Sequence, residues 1–190
     1  MNFVTTQLQS GDFSMISPYV SADQKNSTLN ILHFSQTGLG LPDHDYYFVD
    51  DPSVAAIQKA YKIYLTSIFK LVGDTNANEQ AEKVYAIEKQ LAASHKTRVE
   101  RRVIKENYNK LAVSDLNTNQ KNIGWNAMLK TLGAAVDSVD VRQTAYYETL
   151  NSMLETVSLY DWKLYLKANS IGSHDGILSK PFQDAAFAYS

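Results

Sequence analysis

His33, His44, His95 and His174 are the only histidines of the chain, and no cysteine accompanies them. A zinc-binding helix needs two imidazoles one turn apart, as in His-Glu-x-x-His. A di-iron helix needs a glutamate three residues before a histidine. None of the four has such a neighbour. The one local cluster rich in ligand atoms is Asp43-His44-Asp45, with Asp50 and Asp51 close by. It could in principle bind a metal or move a proton. Aspartates in a loop punctuated by glycine and proline instead tend to accept bonds from nearby backbone amides, and that structural role is expected here. Gly38-x-Gly40 lacks both the third glycine and the Lys-Ser/Thr of phosphate-binding loops, and no serine has a nucleophile-elbow context. Asn26-Ser27-Thr28 fits a glycosylation acceptor, a triplet that also arises by chance. The residues therefore assign no catalytic position, no metal ligand and no substrate contact.

Glu88 is the most informative single charge. It falls between Val84 and Leu91, on the side of its helix that carries the apolar residues. A carboxylate there needs a donor, because leaving it buried and unpaired costs several kcal/mol. The expected partner is one of Arg98, Arg101 and Arg102; the alternative is that Glu88 lies on the edge of the stripe and reaches water. The run from Arg98 to Lys105, interrupted by Glu100, Val103 and Ile104, reads as a solvated helix face.

These residues sit in a chain of 190 residues, 44% apolar and 20% charged, long enough for one domain with a real core. Lys and Arg number 18 against 20 Asp and Glu, so the net charge of -2 gives no case for nucleic acid or an anionic membrane. No continuous apolar span approaches ~18 residues, so no membrane crossing is expected. The opening Met1–Thr6 lacks the basic start and apolar run of a signal peptide. Twelve tyrosines outnumber seven phenylalanines, which predicts core-edge rings with hydroxyls reaching a partner.

The elements that must place these groups are mostly helices. Residues 1 to about 15 are weakly patterned and read as irregular. Ser17–Ser21 and Thr28–Phe34 lean towards strand and flank a polar cluster, giving a β-hairpin over 16–36. Residues 37–51 form a connecting loop, and 52–190 a helical part. In the first helix Val54, Ile57, Tyr61, Tyr64, Ile68 and Leu71 recur at helical spacing behind Asp51-Pro52-Ser53, and Gly73 is the stop. A second helix spans about 78–94, with Ala81, Val84, Ile87 and Leu91 inward. Ser114 is expected to cap a helix. Further helices are expected over 125–132, 141 to about 157, 159 to about 171, and 177–189, the last broken into by Pro181. With no polar tail and no closing Gly or Asn, the C-terminus reads as an interrupted chain.

One stretch is far from generic: Gly38-Leu39-Gly40-Leu41-Pro42-Asp43-His44-Asp45-Tyr46-Tyr47. Upstream, Asp23 is followed at a short interval by Asn26 and an apolar run to Leu32. Downstream come Ile87-Glu88-Lys89-Gln90-Leu91-Ala92, Tyr108-Asn109-Lys110-Leu111, Asp161–Leu166 and Phe182–Tyr189. In this order the segments resemble the neprilysin family of zinc metallopeptidases, over nearly the whole chain from about residue 16. His44 stands where that family often has arginine, and Val103 where an aspartate is common.

The resemblance implies a mainly α, bundle-like cap domain with a small N-terminal β-hairpin, the 190 residues forming one fragment of it. It implies a parent zinc metalloendopeptidase, extracytoplasmic, that hydrolyses peptides in a chamber closed by this cap. The zinc helix and the acid-base helix have no match here, so zinc belongs to the parent, and the missing catalytic half is the implied partner. By this reading the chain alone is no enzyme. The alternatives are a freestanding helical module that binds a peptide or protein without catalysis, and a piece with no role of its own.

Overall fold

The computed structural model describes residues 15–189, so the expectation for the irregular N-terminus falls almost wholly outside the described residues. In chain order the elements are β1 (Ser17–Asp23), β2 (Asn26–Ser35), α1 (Asp45–Phe48), α2 (Pro52–Leu71), α3 (Ala77–Ala92) and β3 (Lys110–Ala112). Then follow α4 (Val113–Asn119), α5 (Trp125–Thr131), β4 (Ser138–Val141), α6 (Thr144–Thr156), α7 (Leu159–Gly172) and α8 (Lys180–Tyr189). The mainly α architecture with an N-terminal strand pair is thus present. The described residues fall into two compact units, 15–38 with 94–156, and 39–93 with 157–189.

In the first unit β1 and β2 pair antiparallel around Gln24 and Lys25, with Tyr19 opposite His33 and Ser21 opposite Ile31. Asp23 closes this turn by accepting from the Lys25 amide at 2.9 Å. Two strands inside the expected helical part extend the sheet. The order is β1-β2-β4-β3, with β4 parallel to β2 and antiparallel to β3. β4 is four residues long, and Val139, Asp140 and Val141 are all buried. Without polar alternation such a short run cannot be told from the start of a helix. Val141 therefore ends a strand, and α6 begins only at Thr144.

Other local expectations shift in the same unit. Ser114 makes no capping bond, because α4 starts at Val113 behind Ala112, two residues before a Ser114 cap would start it. The charged run is exposed as expected, but it forms two single 3-10 turns, Glu100–Arg102 and Ile104–Asn107. The core is aromatic: Trp125 meets Phe34 edge-on at 5.0 Å and Tyr147 at 5.5 Å. The hydroxyls of Tyr146 and Tyr147 donate to the carbonyls of Met15 (2.7 Å) and Ser35 (2.9 Å), so they reach partners as expected, but both rings lie inside the core and not at its edge.

The second unit is helical. Asp51 caps α2 by accepting from the Ser53 amide at 2.8 Å, with Pro52 in the first turn. Tyr61, Tyr64 and Ile68 are buried as the stripe predicts, joined by Leu65 and Phe69, whereas Leu71 is exposed. Fully burying an apolar side chain such as Ile68 or Phe69 stabilises by roughly 1.5–3 kcal/mol. Gly73 ends the helix at φ +86°, in the left-handed region that favours glycine. α2 packs on α3 and α8, and α3 packs on α7. α7 is capped by Ser158, whose hydroxyl accepts from the Asp161 amide. Pro181 lies in the first turn of α8, where a missing amide costs nothing, so it starts that helix and does not break it. No described helix is long and apolar enough to cross a membrane.

Candidate functional site: the glycine-rich loop, Glu88 and an aromatic cavity

From Leu39 onward the loop is pinned by its own side chains. Asp43 accepts from the Asp45 amide at 3.0 Å, and the carbonyls of Asp43 and His44 receive the amides of Tyr46 and Tyr47. These bonds build the single turn of α1. His44 turns to Asp45 at 3.1 Å and lies against the Phe48 ring. The loop aspartates thus act on backbone, as composition suggested. Gln58 of α2 donates to the Tyr46 carbonyl at 2.9 Å and holds the turn from outside.

Tyr47 is fully buried, and its hydroxyl relays the loop to α3. It accepts from the Leu41 amide at 3.1 Å and donates to Glu88 Oε2 at 2.9 Å. Tyr61 of α2 donates to Glu88 Oε1 at 2.7 Å, and the Gly40 amide also bonds this carboxylate. The donors of Glu88 are therefore two tyrosine hydroxyls and a backbone amide, not one of the arginines expected from the sequence. The reason is that the loop folds back onto α3 and, together with α2, delivers three donors, so no cation is required. Gly40 is needed for space: a Cβ there would lie 1.8 Å from the Tyr61 hydroxyl.

Glu88 is only 1% exposed. Burial raises its pKa from 4.5 to about 7, an effect that the Tyr61, Tyr47 and Gly40 donors offset only in part. Burial and the neighbouring Glu88 charge push both tyrosine hydroxyls well above their ordinary range, so they remain donors. A carboxylate closed off in this way has no room for a reacting molecule. It serves as the knot joining loop, α2 and α3.

Beside the knot lies a cavity of about 640 Å³. Leu39, Gly40, Tyr61 and Tyr64 line one side, and Asn169, Gly172, Asp175, Phe187 and Tyr189 line the rest. Tyr189 stacks on Tyr64 with centroids 5.3 Å apart and leans on Tyr61 at 5.4 Å. Its hydroxyl lies 3.4 Å from the Gly40 carbonyl. Burial, then the charge of Asp175 and the presence of Tyr189, raise the Tyr64 hydroxyl to about 12.

The first unit has its own buried polar group, which sequence reasoning missed. His33 Nδ1 and Asp140 Oδ2 meet at 2.7 Å from 107 residues apart, and both residues are fully buried. The Asn109 amide donates to the other carboxylate oxygen at 2.6 Å. The far ring nitrogen is 3.4 Å from the Ser21 hydroxyl, and Tyr19 stacks on the imidazole at 4.8 Å. The order serine, histidine, aspartate is that of a nucleophile relay, but the Ser21 contact is long and the ring is sealed beneath Tyr19. The set ties β1, β2 and β4 together. The run Ile31, Leu32, His33, Phe34 offered no signal for it, since its partner comes from a strand the sequence did not reveal.

Near this group Asp23 accepts from Tyr108 at 2.8 Å and from Lys110 at 3.0 Å. The Lys25 amide, Lys110 and Tyr108, in that order, hold its carboxyl down at about 2. His95 lies 3.1 Å from the Thr37 carbonyl, and His174 2.8 Å from the Ser170 carbonyl. The four histidines are thus engaged in separate places. Among the described residues no three histidine, aspartate or glutamate side chains cluster so as to hold a metal ion. The donor set described does not fit zinc.

The segments that surround Glu88 and Asp23 are those in which the sequence resembles a peptidase family, and a direct comparison decides the matter. The sequence model of peptidase family M13 matches residues 1–190. The chain belongs to peptidase family M13. Within the neprilysin-like M13 peptidases it corresponds to the N-terminal region. It is 30% identical to endothelin-converting enzyme 1 of Cavia porcellus and 28% identical to that of Homo sapiens, over 97% of this chain and 25% of each relative. It superposes on the inhibitor complex of Mycobacterium tuberculosis zinc metalloprotease Zmp1 with a TM-score of 0.91 and 30% identity, covering 98% of this chain and 29% of that one. PepO of Lactobacillus rhamnosis shares the fold, with a TM-score of 0.82 at 20% identity, over 99% of this chain and 30% of its own. The M13 chain described here thus spans about a quarter of the length of the curated relatives it matches.

Proposed function

We propose that this chain is the non-catalytic helical cap of a zinc-dependent M13 metalloendopeptidase. All 190 residues act as one cap that limits which peptides reach the chamber, while zinc and the hydrolytic groups belong to the rest of the parent protein. One observation carries the reading: the family match runs from end to end of a chain a quarter as long as its relatives, and its described residues bring together no zinc ligands. The buried groups support it. Glu88 and Asp140 are both spent on holding loops and strands, which suits a shaping role better than a reacting one.

The test is hydrolysis of a fluorogenic peptide library by the purified chain, with and without a zinc chelator. No chelator-sensitive cleavage is expected. Joined to the remaining length of its parent, the same chain should confer cleavage with an upper limit on substrate size, and loosening the cap should raise that limit. Chelator-sensitive hydrolysis by the chain alone would overturn the proposal. The cavity beside the glycine-rich loop favours a second reading, a module that binds a peptide without cleaving it.

A further inference from the structure

The lining of the cavity beside Gly40 is chemically one-sided. Tyr61, Tyr64, Phe187 and Tyr189 give it an aromatic wall, and Asp175 gives it a carboxylate. Among the described residues no lysine, arginine or histidine lines it. Asp175 is close enough to act electrostatically on the Tyr64 hydroxyl, and Glu88 acts on that of Tyr189 from behind the wall. The standing negative charge on the space is therefore that of Asp175, and Glu88 adds to it only in its ionised form. Phe187 is 84% exposed and sets an aromatic ring at the rim.

An anion would be repelled by the Asp175 carboxylate. A purely apolar molecule would strip water from the Asp175 carboxylate and return nothing for it. An organic cation on an apolar shaft matches every part. Its charge meets Asp175, its shaft lies along the aromatic rings, and a cation over a ring face gains further attraction. The volume of about 640 Å³ is of the size that holds a small ligand or a single side chain.

We propose that this cavity is a binding site for the basic side chain, above all the arginine side chain, of a peptide. Arginine is favoured over lysine because its planar guanidinium can stack on the rings while pairing with the carboxylate. The assignment to a peptide rests on the reading of the chain as the cap of a peptidase; the preference for a cation rests on the cavity alone.

The test is a titration of the 190-residue chain with N-acetyl-arginine N-methylamide, followed by NMR at the amides of Asn169 and Gly172 and by tyrosine fluorescence. The matched probe is the citrulline analogue, which has the same shape without the charge. Arginine is expected to bind about tenfold more tightly than citrulline, the worth of one well-placed cation contact. Asp175→Asn, at the start of an exposed single turn, should keep the thermal midpoint and bring the two probes within about twofold of each other. Equal binding of the two probes by the unaltered chain, or shifts that map away from the cavity, would overturn the site. Guanidinium ion alone binding as tightly as the capped arginine would overturn its assignment to a peptide side chain. Chelator-sensitive cleavage by the chain would defeat the cap reading and leave the cation preference standing, so the two failures are distinguishable.

Discussion

Glu88→Gln changes one oxygen for an amide and removes a titration, and its effect on stability can be worked out with its sign. In the folded chain the Glu88 pKa is raised from 4.5 to about 7. Between these values the folded state holds a proton that the unfolded state has released. Stability must therefore fall as pH rises through this window. At 1.36 kcal/mol per pH unit the window of about 2.5 units is worth about 3 kcal/mol, fully present below pH 4.5 and lost once pH passes about 7. The glutamine variant cannot ionise at this position, so the unaltered chain should lose about 3 kcal/mol relative to it across the window. Urea denaturation of both proteins at half-unit steps from pH 4.5 to 8 reads this as a relative midpoint change of roughly 1–3 M. Other titrating groups are common to both chains and cancel in the difference. A difference that stays flat with pH, or that grows in favour of the unaltered chain as pH rises, would refute the argument that desolvation outweighs the three donors.

Removing one donor tests the same knot: Tyr61→Phe should raise the Glu88 pKa above about 7, read by NMR titration of its carboxyl carbon, and cost roughly 1–3 kcal/mol in denaturation. Gly40→Ala places a methyl 1.8 Å from the Tyr61 hydroxyl and 2.3 Å from its Cζ, so it should destabilise by roughly 1–3 kcal/mol and shift the Tyr61 ring resonances. Wild-type stability in the alanine variant would show that the loop yields freely and that no close approach is required. Asp140→Ala leaves His33 and the Asn109 amide without their acceptor in a buried setting, at a cost of roughly 1–3 kcal/mol, with loss of hydrogen-exchange protection along β4.

The parts of the fold legible from sequence are those governed by local periodicity and local backbone chemistry. The α2 and α3 stripes, the Asp51-Pro52 start, the Gly73 stop and the hairpin over 16–36 depend on residues within a turn or two of each other. The errors lie where a distant partner decides. Ser138–Val141 becomes a strand only because β2 offers it an edge, and α6 is shortened as a result. The Asp43-His44-Asp45 loop could be assigned to backbone bonding because its partners are the next two or three residues.

Glu88 shows both halves in one side chain. Its place among Val84, Ile87 and Leu91 follows from a helical period of about 3.6, so residue order alone sets it on the apolar side of its helix, where a buried carboxylate needs a donor. Order alone also carries the match to peptidase family M13. Which donors answer Glu88 depends on a loop 41 residues upstream folding onto α3 and on Gly40 leaving room for a tyrosine hydroxyl. The same holds for His33 and Asp140, and for a cavity whose walls come from separate segments of the chain. Burial is set by a pattern within one helix, whereas pairing is set by which surfaces the whole chain can bring within hydrogen-bonding distance of about 3 Å, and only the tertiary structure decides that.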